Sequence, residues 1–406
     1  MCRKIKGAFF LFFLVRLAAV AWEVRFLHLY SRELEKGELW FGPDTCTGKI
    51  AAGTESFAKD QLKASNLKLS NISKEIKALV LHAMVILTML TSKIRKKVGR
   101  LSKSLRILNP EITLLLLLTS AITSIEKLCG TKLTLEECIC SLKYIEYPLN
   151  MVALLFIELP FYICLVMKLF EFLKGKFIIV LYIIFVAGNI LNTLWSGHVD
   201  KSKLAKVPLE VFPEKLQEML KSEGLEDSVY RAKSSKEKKN ASLIGLGSFK
   251  RIEIYGDFTK NVEELYPVSF HEVGHSIDNI ILKRKILMHA MVICEVLAFT
   301  AIYAKGSKAF GVSDMSSEAF ALMVFIMYLA LGRALFLTFS NVYAQRSELF
   351  ADEVARINGY GDGLSQALFD MALEHNTTID STYLFNAITS LHPIVRERID
   401  RCGCLS

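Results

Sequence analysis

The sequence has no CxxC pair and no regular cysteine spacing. Of its nine cysteines, Cys46, Cys129, Cys164 and Cys294 are scattered, and the two close pairs, Cys138-Ile139-Cys140 and Cys402-Gly403-Cys404, are CxC. A zinc ribbon and a disulfide scaffold are thereby excluded, and free structural thiols are expected. There is no internal repeat, no low-complexity tract and no nucleic-acid-binding motif. The formal charge of +9 therefore reads as basic loops against anionic headgroups, with no nucleic-acid partner. A prenylation box is also missing: it needs a cysteine fourth from the end, and the run Arg401-Cys402-Gly403-Cys404-Leu405-Ser406 has Gly403 there.

What the chain has in abundance is apolar sequence. Hydrophobic residues make up 52% of 406, with 26 phenylalanines, which places much of the protein in lipid. A basic start, Met1 to Lys6, leads into an apolar run from Gly7 to Trp22 broken only by Arg16. Apolar residues continue at Val24, Phe26 and Leu27 with no small-residue cleavage site, so a retained first span is expected over a removed signal. Further runs are 76–90 (short, with Lys77 and His82), Ile107–Ile125, Met151–Phe172 (broken by Pro160), Phe177–Trp195, Leu287–Tyr303 and Ala319–Leu337. Asn189 and Asn192 in the fifth run are tolerable facing other helices. The expected fold is mainly α, a polytopic membrane protein with seven transmembrane helices and a small α+β domain.

Between the runs the chain changes character. Residues 28–75 read as a polar loop with helical pieces, Lys93 to Arg106 is densely basic, and 126–147 is a polar connection. From 198 to 270 the sequence looks soluble. A helix is expected from Pro213 to about Ser222, with Leu216, Met219 and Leu220 on one face and Gly224 as its stop. Short strands follow at Ser228–Lys233, Ala241–Gly247 and Arg251–Tyr255, the last two joined as a hairpin through Ser248-Phe249-Lys250. The expected parts are thus 1–197 with five spans, 198–285 with the hairpin, 286–340 with two spans, and a helical tail at 341–406.

The chemistry-bearing stretch is His271-Glu272-Val273-Gly274-His275. Residues four apart share a helix face, so both histidines can bind one zinc ion while Glu272 polarises a water as general base. Zinc lowers the pKa of such a water toward neutrality. Two spans then cross and return, which brings the tail to the same side as the histidines and allows a third ligand there. Glu295 lies twenty residues after His275, a thermolysin-like spacing, but it sits in the apolar run Met291–Leu297, and Phe299 occupies the position where that family has aspartate. Glu348 is the better candidate, because Asp352 shares its helix face and can accept a hydrogen bond from a zinc-bound histidine and fix its tautomer. Alone, that segment would read as an ordinary amphipathic helix with its acids in water. The third histidine of metzincins is absent, since position 278 is Asp and 281 is Ile. HEVGH also follows a polar segment, which argues against the site-2 type of intramembrane protease.

These residues resemble the type I CAAX prenyl endopeptidases, the seven-span zinc enzymes also called farnesylated-protein-converting enzyme 1. The resemblance rests on HEVGH, on Glu348-Leu349-Phe350-Ala351-Asp352 and on Leu391-His392-Pro393 with Glu397-Arg398, in that order, together with Asn240-Ala241 and Gly245. It is specific over about 198–400; over the first 197 residues it rests on span number and on short matches such as Glu126-Lys127 with Gly130. It implies zinc held by His271, His275 and Glu348, with Glu272 as base and proton shuttle. It also implies that His392 and Arg398 stabilise an oxyanion, and that the strand at Asn240, Ala241 and Gly245 receives the substrate as an added strand. Taken singly, Asn240 would be a turn residue or a glycosylation acceptor in Asn240-Ala241-Ser242, and His392 and Arg398 the capping and surface charge of a helix.

The same resemblance implies helices enclosing a chamber in the bilayer, an apolar home for a prenyl chain, closed at one end by the catalytic domain. The substrate would be a prenylated CAAX protein losing its last three residues, in the endoplasmic reticulum membrane with the catalytic side cytosolic. That orientation puts the basic loop Lys93–Arg106 on the opposite side, against the positive-inside tendency. The alternative is a membrane quality-control metalloprotease cutting misfolded or stalled proteins. A non-enzymatic membrane scaffold is a third reading, but it has no need of Glu272.

Overall fold

The computed structural model describes residues 2–38, 41–90, 172, 177–196, 203–233, 238–256, 264–309, 320, 323–324, 327–328 and 332–403. The basic loop Lys93–Arg106, the third apolar run, the polar connection with Glu126, Lys127 and Gly130, and all of the fourth run but Phe172 lie outside them. Two compact units are present, one comprising 1–15, 71–186 and 292–335, the other 16–70, 187–291 and 336–406. Among the described residues no helix is long and apolar enough to cross a membrane, so they do not establish the seven expected spans.

The second unit holds a four-stranded sheet. Its strands are β1 (Leu204–Lys206), β2 (Val229–Ala232), β3 (Asn240–Ile244) and β4 (Arg251–Tyr255), in the spatial order β1-β2-β4-β3. Strand β4 is central, parallel to β2 and antiparallel to β3, with Ala241 opposite Ile254 and Leu243 opposite Ile252. The expected β3–β4 hairpin is present. It closes through a short 3-10 turn at Gly247–Phe249 and through Gly245, whose φ of 87° suits glycine and where a Cβ would stand 2.0 Å from the Phe249 carbonyl oxygen. Strand β1 and the parallel β2–β4 pairing were not expected. Among the described strands β3 has β4 on one side only and forms an edge of the sheet.

The described helices are α1 (Cys2–Glu35), α2 (Cys46–Ala52), α3 (Phe57–Leu90), α4 (Phe177–Ser196), α5 (Glu214–Ser222), α6 (Leu265–Ile277), α7 (Ile280–Ala309), α8 (Arg333–Ala355), α9 (Gly361–Glu374), α10 (Tyr383–Thr389) and α11 (Val395–Cys402). Helix α5 follows Pro213 and is succeeded by Gly224 at φ 67°, while Leu216 and Leu220 are fully buried, as their spacing requires. The region 28–75 is much more helical than its polar composition suggests. Tyr30, Leu34, Phe57 and Ala64 are buried, and Phe57 stacks on Phe369 of α9 at 5.5 Å, so packing overrides a weak local signal. Cys46 and Cys402 are buried and Cys294 is exposed. Helix α4 leaves Ile179, Ile183, Ile184, Ile190 and Leu191 exposed.

Helix α6, which carries the histidine pair, is seated in the core by Phe270 and Val273, both fully buried. Phe270 stacks on Tyr360 at 4.7 Å, and burial of such a side chain contributes about 1.5–3 kcal/mol. Gly274 brings α6 against α8: a Cβ there would stand 2.8 Å from Ala351 Cα and 3.1 Å from its Cβ. Gly274→Ala must push the two ligand-bearing helices apart. It is expected to lower stability by about 1–3 kcal/mol and to weaken metal binding in parallel, read by thermal unfolding and metal titration. Unchanged metal affinity in a destabilised variant would show that this contact does not set the spacing of the ligands.

Candidate metal centre

Helix geometry puts His271 and His275 on one face of α6, and on α8 it puts Glu348 and Asp352 on one face. The close α6–α8 approach at Gly274 turns those faces toward each other. His275 Nε2 is 3.3 Å from Glu348 Oε1, and His271 Nε2 is 3.6 Å from Glu348 Oε2. One donor atom from each of the three lies within 4.8 Å of the others, and among the described residues this is the one such group able to hold a metal ion. Glu295 is not part of it. Two imidazole nitrogens and one carboxylate, all lining one cleft, match the donor set of a catalytic zinc site.

The supporting shell is equally ordered. His271 Nδ1 is 2.9 Å from Asp352 Oδ1. Arg398 Nε donates to Asp352 Oδ2 and Nη2 to Oδ1, both at 2.8 Å, while its Nη1 lies 3.2 Å from Glu348 Oε2. Arg398 thus uses its planar fork on two buried carboxylates, the bidentate geometry for which guanidinium is suited. Burial alone would raise the Asp352 pKa, but Arg398 and His271 overcome it and hold the carboxyl at about 2. Burial likewise opposes ionisation of Glu348, and hydrogen bonds from His271, His275 and His392 with the Arg398 charge bring its pKa well below the usual carboxylate range. For His271, burial disfavours the imidazolium, yet hydrogen bonds to Asp352 and Glu348 prevail and push its pKa up to about 10.

The remaining residues singled out from the sequence surround one cleft of about 680 Å³. It is lined by Asn240, Ala241, Glu272, His392 and Arg398 with the three potential ligands, and Gly245 lines a neighbouring cavity of about 220 Å³ beside His275. His392 reaches in from the chain between α10 and α11, its Nδ1 3.1 Å from Glu348 Oε2 and its side chain 64% exposed. Glu272 is buried, and its Oε2 accepts the Leu243 backbone N–H at 2.6 Å. That contact shows which groups of β3 face away from β4: the N–H and C=O of Ala241 and Leu243 belong to the open edge. The Ala241 N–H is meanwhile capped by Asn240 Oδ1 at 2.9 Å. Sequence reasoning missed Leu243, because a backbone donor leaves no residue signature, and it missed the Ser347 Oγ–Asp278 Oδ2 bond, 2.7 Å, that ties α8 to the end of α6.

Comparison with known proteins agrees with this arrangement. The sequence model of Peptidase family M48 matches residues 212–402, the span from α5 to α11 that holds every residue of the cluster. No curated protein matches the chain. The crystal structure of Ste24p from S. mikatae is similar in fold across 98% of this chain and 99% of that one, with a TM-score of 0.53 at 17% sequence identity. The chain thus has the Ste24p fold, and the match of its residues 212–402 to the model of Peptidase family M48 marks it as a metalloprotease.

Proposed function

We propose that this metalloprotease is a zinc-dependent membrane endopeptidase that removes the C-terminal tripeptide from prenylated CAAX proteins. The observation that carries the proposal is the juxtaposition of the His271, His275 and Glu348 donors with Glu272 and the open β3 edge in one cleft. When bound there, zinc supplies a Lewis acid and an acidified water. Glu272 takes the proton of the attacking water at its carboxylate and delivers it to the departing amine. Ala241 and Leu243 pair with the substrate backbone, with Asn240 and Gly245 marking the ends of that edge, and Leu243 keeps Glu272 oriented until substrate arrives. His392, exposed to the cleft, donates to the developing oxyanion, whereas Arg398 holds Asp352 and Glu348 in place. The exposed isoleucines of α4 and the long apolar runs support a bilayer setting, with the endoplasmic reticulum as the membrane and the cytosol as the catalytic side.

Purified protein is expected to release the terminal tripeptide from a farnesylated CAAX peptide, and to cleave its unprenylated counterpart far more slowly. Cleavage indifferent to the prenyl group would overturn the CAAX assignment in favour of a general membrane-protein protease. Because a metal must displace the His271 proton, its affinity is expected to rise about tenfold per pH unit as long as the pH stays below about 10. The sign for the metal-free fold is the reverse: the imidazolium contributes its full stability below pH 6.5 and loses it as pH rises through about 10. Zinc titrations at several pH values check this, and a pH-independent affinity would contradict it.

A further inference from the structure

We infer that Asn341, Gln345 and Glu23 are positioning residues that fix α10 as a strut and thereby set the His392 imidazole beside Glu348. The inference rests on the proposed role of His392. With its side chain 64% exposed, His392 has little packing to direct it, so the place of its backbone decides where the ring can reach. That backbone is tied to the end of α10: the His392 carbonyl accepts from Asn386 Nδ2 at 3.0 Å and from Ser390 Oγ at 2.8 Å.

Both ends of α10 are in turn gripped. The last carbonyls of a helix lack partners within it, and in α10 only that of Asn386 among those gripped here also accepts a following backbone N–H, from Ser390 at 2.9 Å. Here Asn341 Nδ2 donates to Ala387 O and Ile388 O at 3.2 and 2.9 Å, and Gln345 Nε2 to Asn386 O and Ser390 O at 3.2 and 2.9 Å. Asn341, Gln345, Glu348 and Asp352 follow at steps of four, three and four along α8, so one rigid helix face carries the anchors of the strut together with the carboxylates of the metal centre. At the other end Glu23, fully buried, accepts from the Thr382 N–H and Oγ1 at 2.7 Å and from Ser381 Oγ at 2.9 Å, and pairs with Lys68 Nζ at 2.7 Å. Thr382 is the N-cap residue of α10. Loss of one member of a buried ion pair leaves the other charge uncompensated, so the Glu23–Lys68 pair resists displacement of the start of α10.

The test is a double-mutant cycle on single-turnover cleavage of the farnesylated peptide. Gln345→Met removes both bonds at nearly constant volume and is expected to lower the cleavage rate on the order of 10-fold, with KM and bound metal unchanged. In the His392→Ala background the same substitution is expected to have no further effect. Glu23→Gln, read in the same cycle, tests the opposite end of the strut. Equal losses in both backgrounds, loss of metal, or failure of both variants to fold would overturn the inference in favour of a purely structural role. Absence of cleavage by the unsubstituted enzyme would instead overturn the functional reading and this inference with it.

Discussion

Glu272→Gln is expected to lower kcat by about 10³-fold, within the 10²–10⁴ that general acid–base catalysis contributes, while metal content and stability stay as they are. The amide keeps the shape of the side chain and still offers an oxygen to the Leu243 N–H, so the contact that orients it survives. Only the capacity to take and return a proton is lost. Glu272 is buried, and the cleft it faces opens beside the edge of β3 that no described strand covers, where a peptide backbone can lie. Measurement of kcat alongside bound zinc separates the outcomes. Residual activity within about tenfold of wild type would remove Glu272 from the proton-transfer role, and loss of metal would mean that it serves the site structurally.

Arg398→Ala is expected to be the most destabilising single change near the site, by about 3–5 kcal/mol. Its guanidinium is buried and answers two buried carboxylates, Asp352 through a two-bond fork and Glu348 through Nη1. Truncation leaves those charges without their partner, which costs far more than an exposed ion pair is worth. The thermal midpoint should fall on the order of 10 °C, with weaker metal binding because the Asp352–His271 contact loses its support. Arg398→Lys keeps the charge but not the fork, and should fall between the two. An Arg398→Ala protein of wild-type stability and metal affinity that has lost kcat would contradict this and return Arg398 to the oxyanion role implied by the family resemblance.

The site was more legible in the sequence than the fold around it, for physical reasons. Ligand spacing on a helix is a local property, so HEVGH announces itself, and Glu348 and Asp352 share a helix face by the same arithmetic. The hairpin was legible because β3 and β4 are short apolar-rich runs with glycines between them. The length of β1, three residues, leaves no pattern to read, and the parallel β2–β4 pairing is a long-range choice that no local signal dictates. Nothing in the local sequence marks Glu23 or Gln61 as buried anchors. Both are fully buried, and Gln61 accepts from Tyr30 Oη and, across 318 residues of sequence, from the Ile379 N–H. Arg398 was legible as a site residue, but its partners were not, because a bidentate pair depends on where α11 docks on α8.

The central claim is a metal centre built from two histidines and one glutamate, and X-ray absorption at the zinc edge of the purified chain tests it most directly. The account predicts one zinc per chain, with two imidazole nitrogens and a carboxylate oxygen at about 2.0–2.2 Å, and no zinc signal above background in Glu348→Ala. Sulfur in the coordination sphere, or full zinc occupancy in Glu348→Ala, would contradict it.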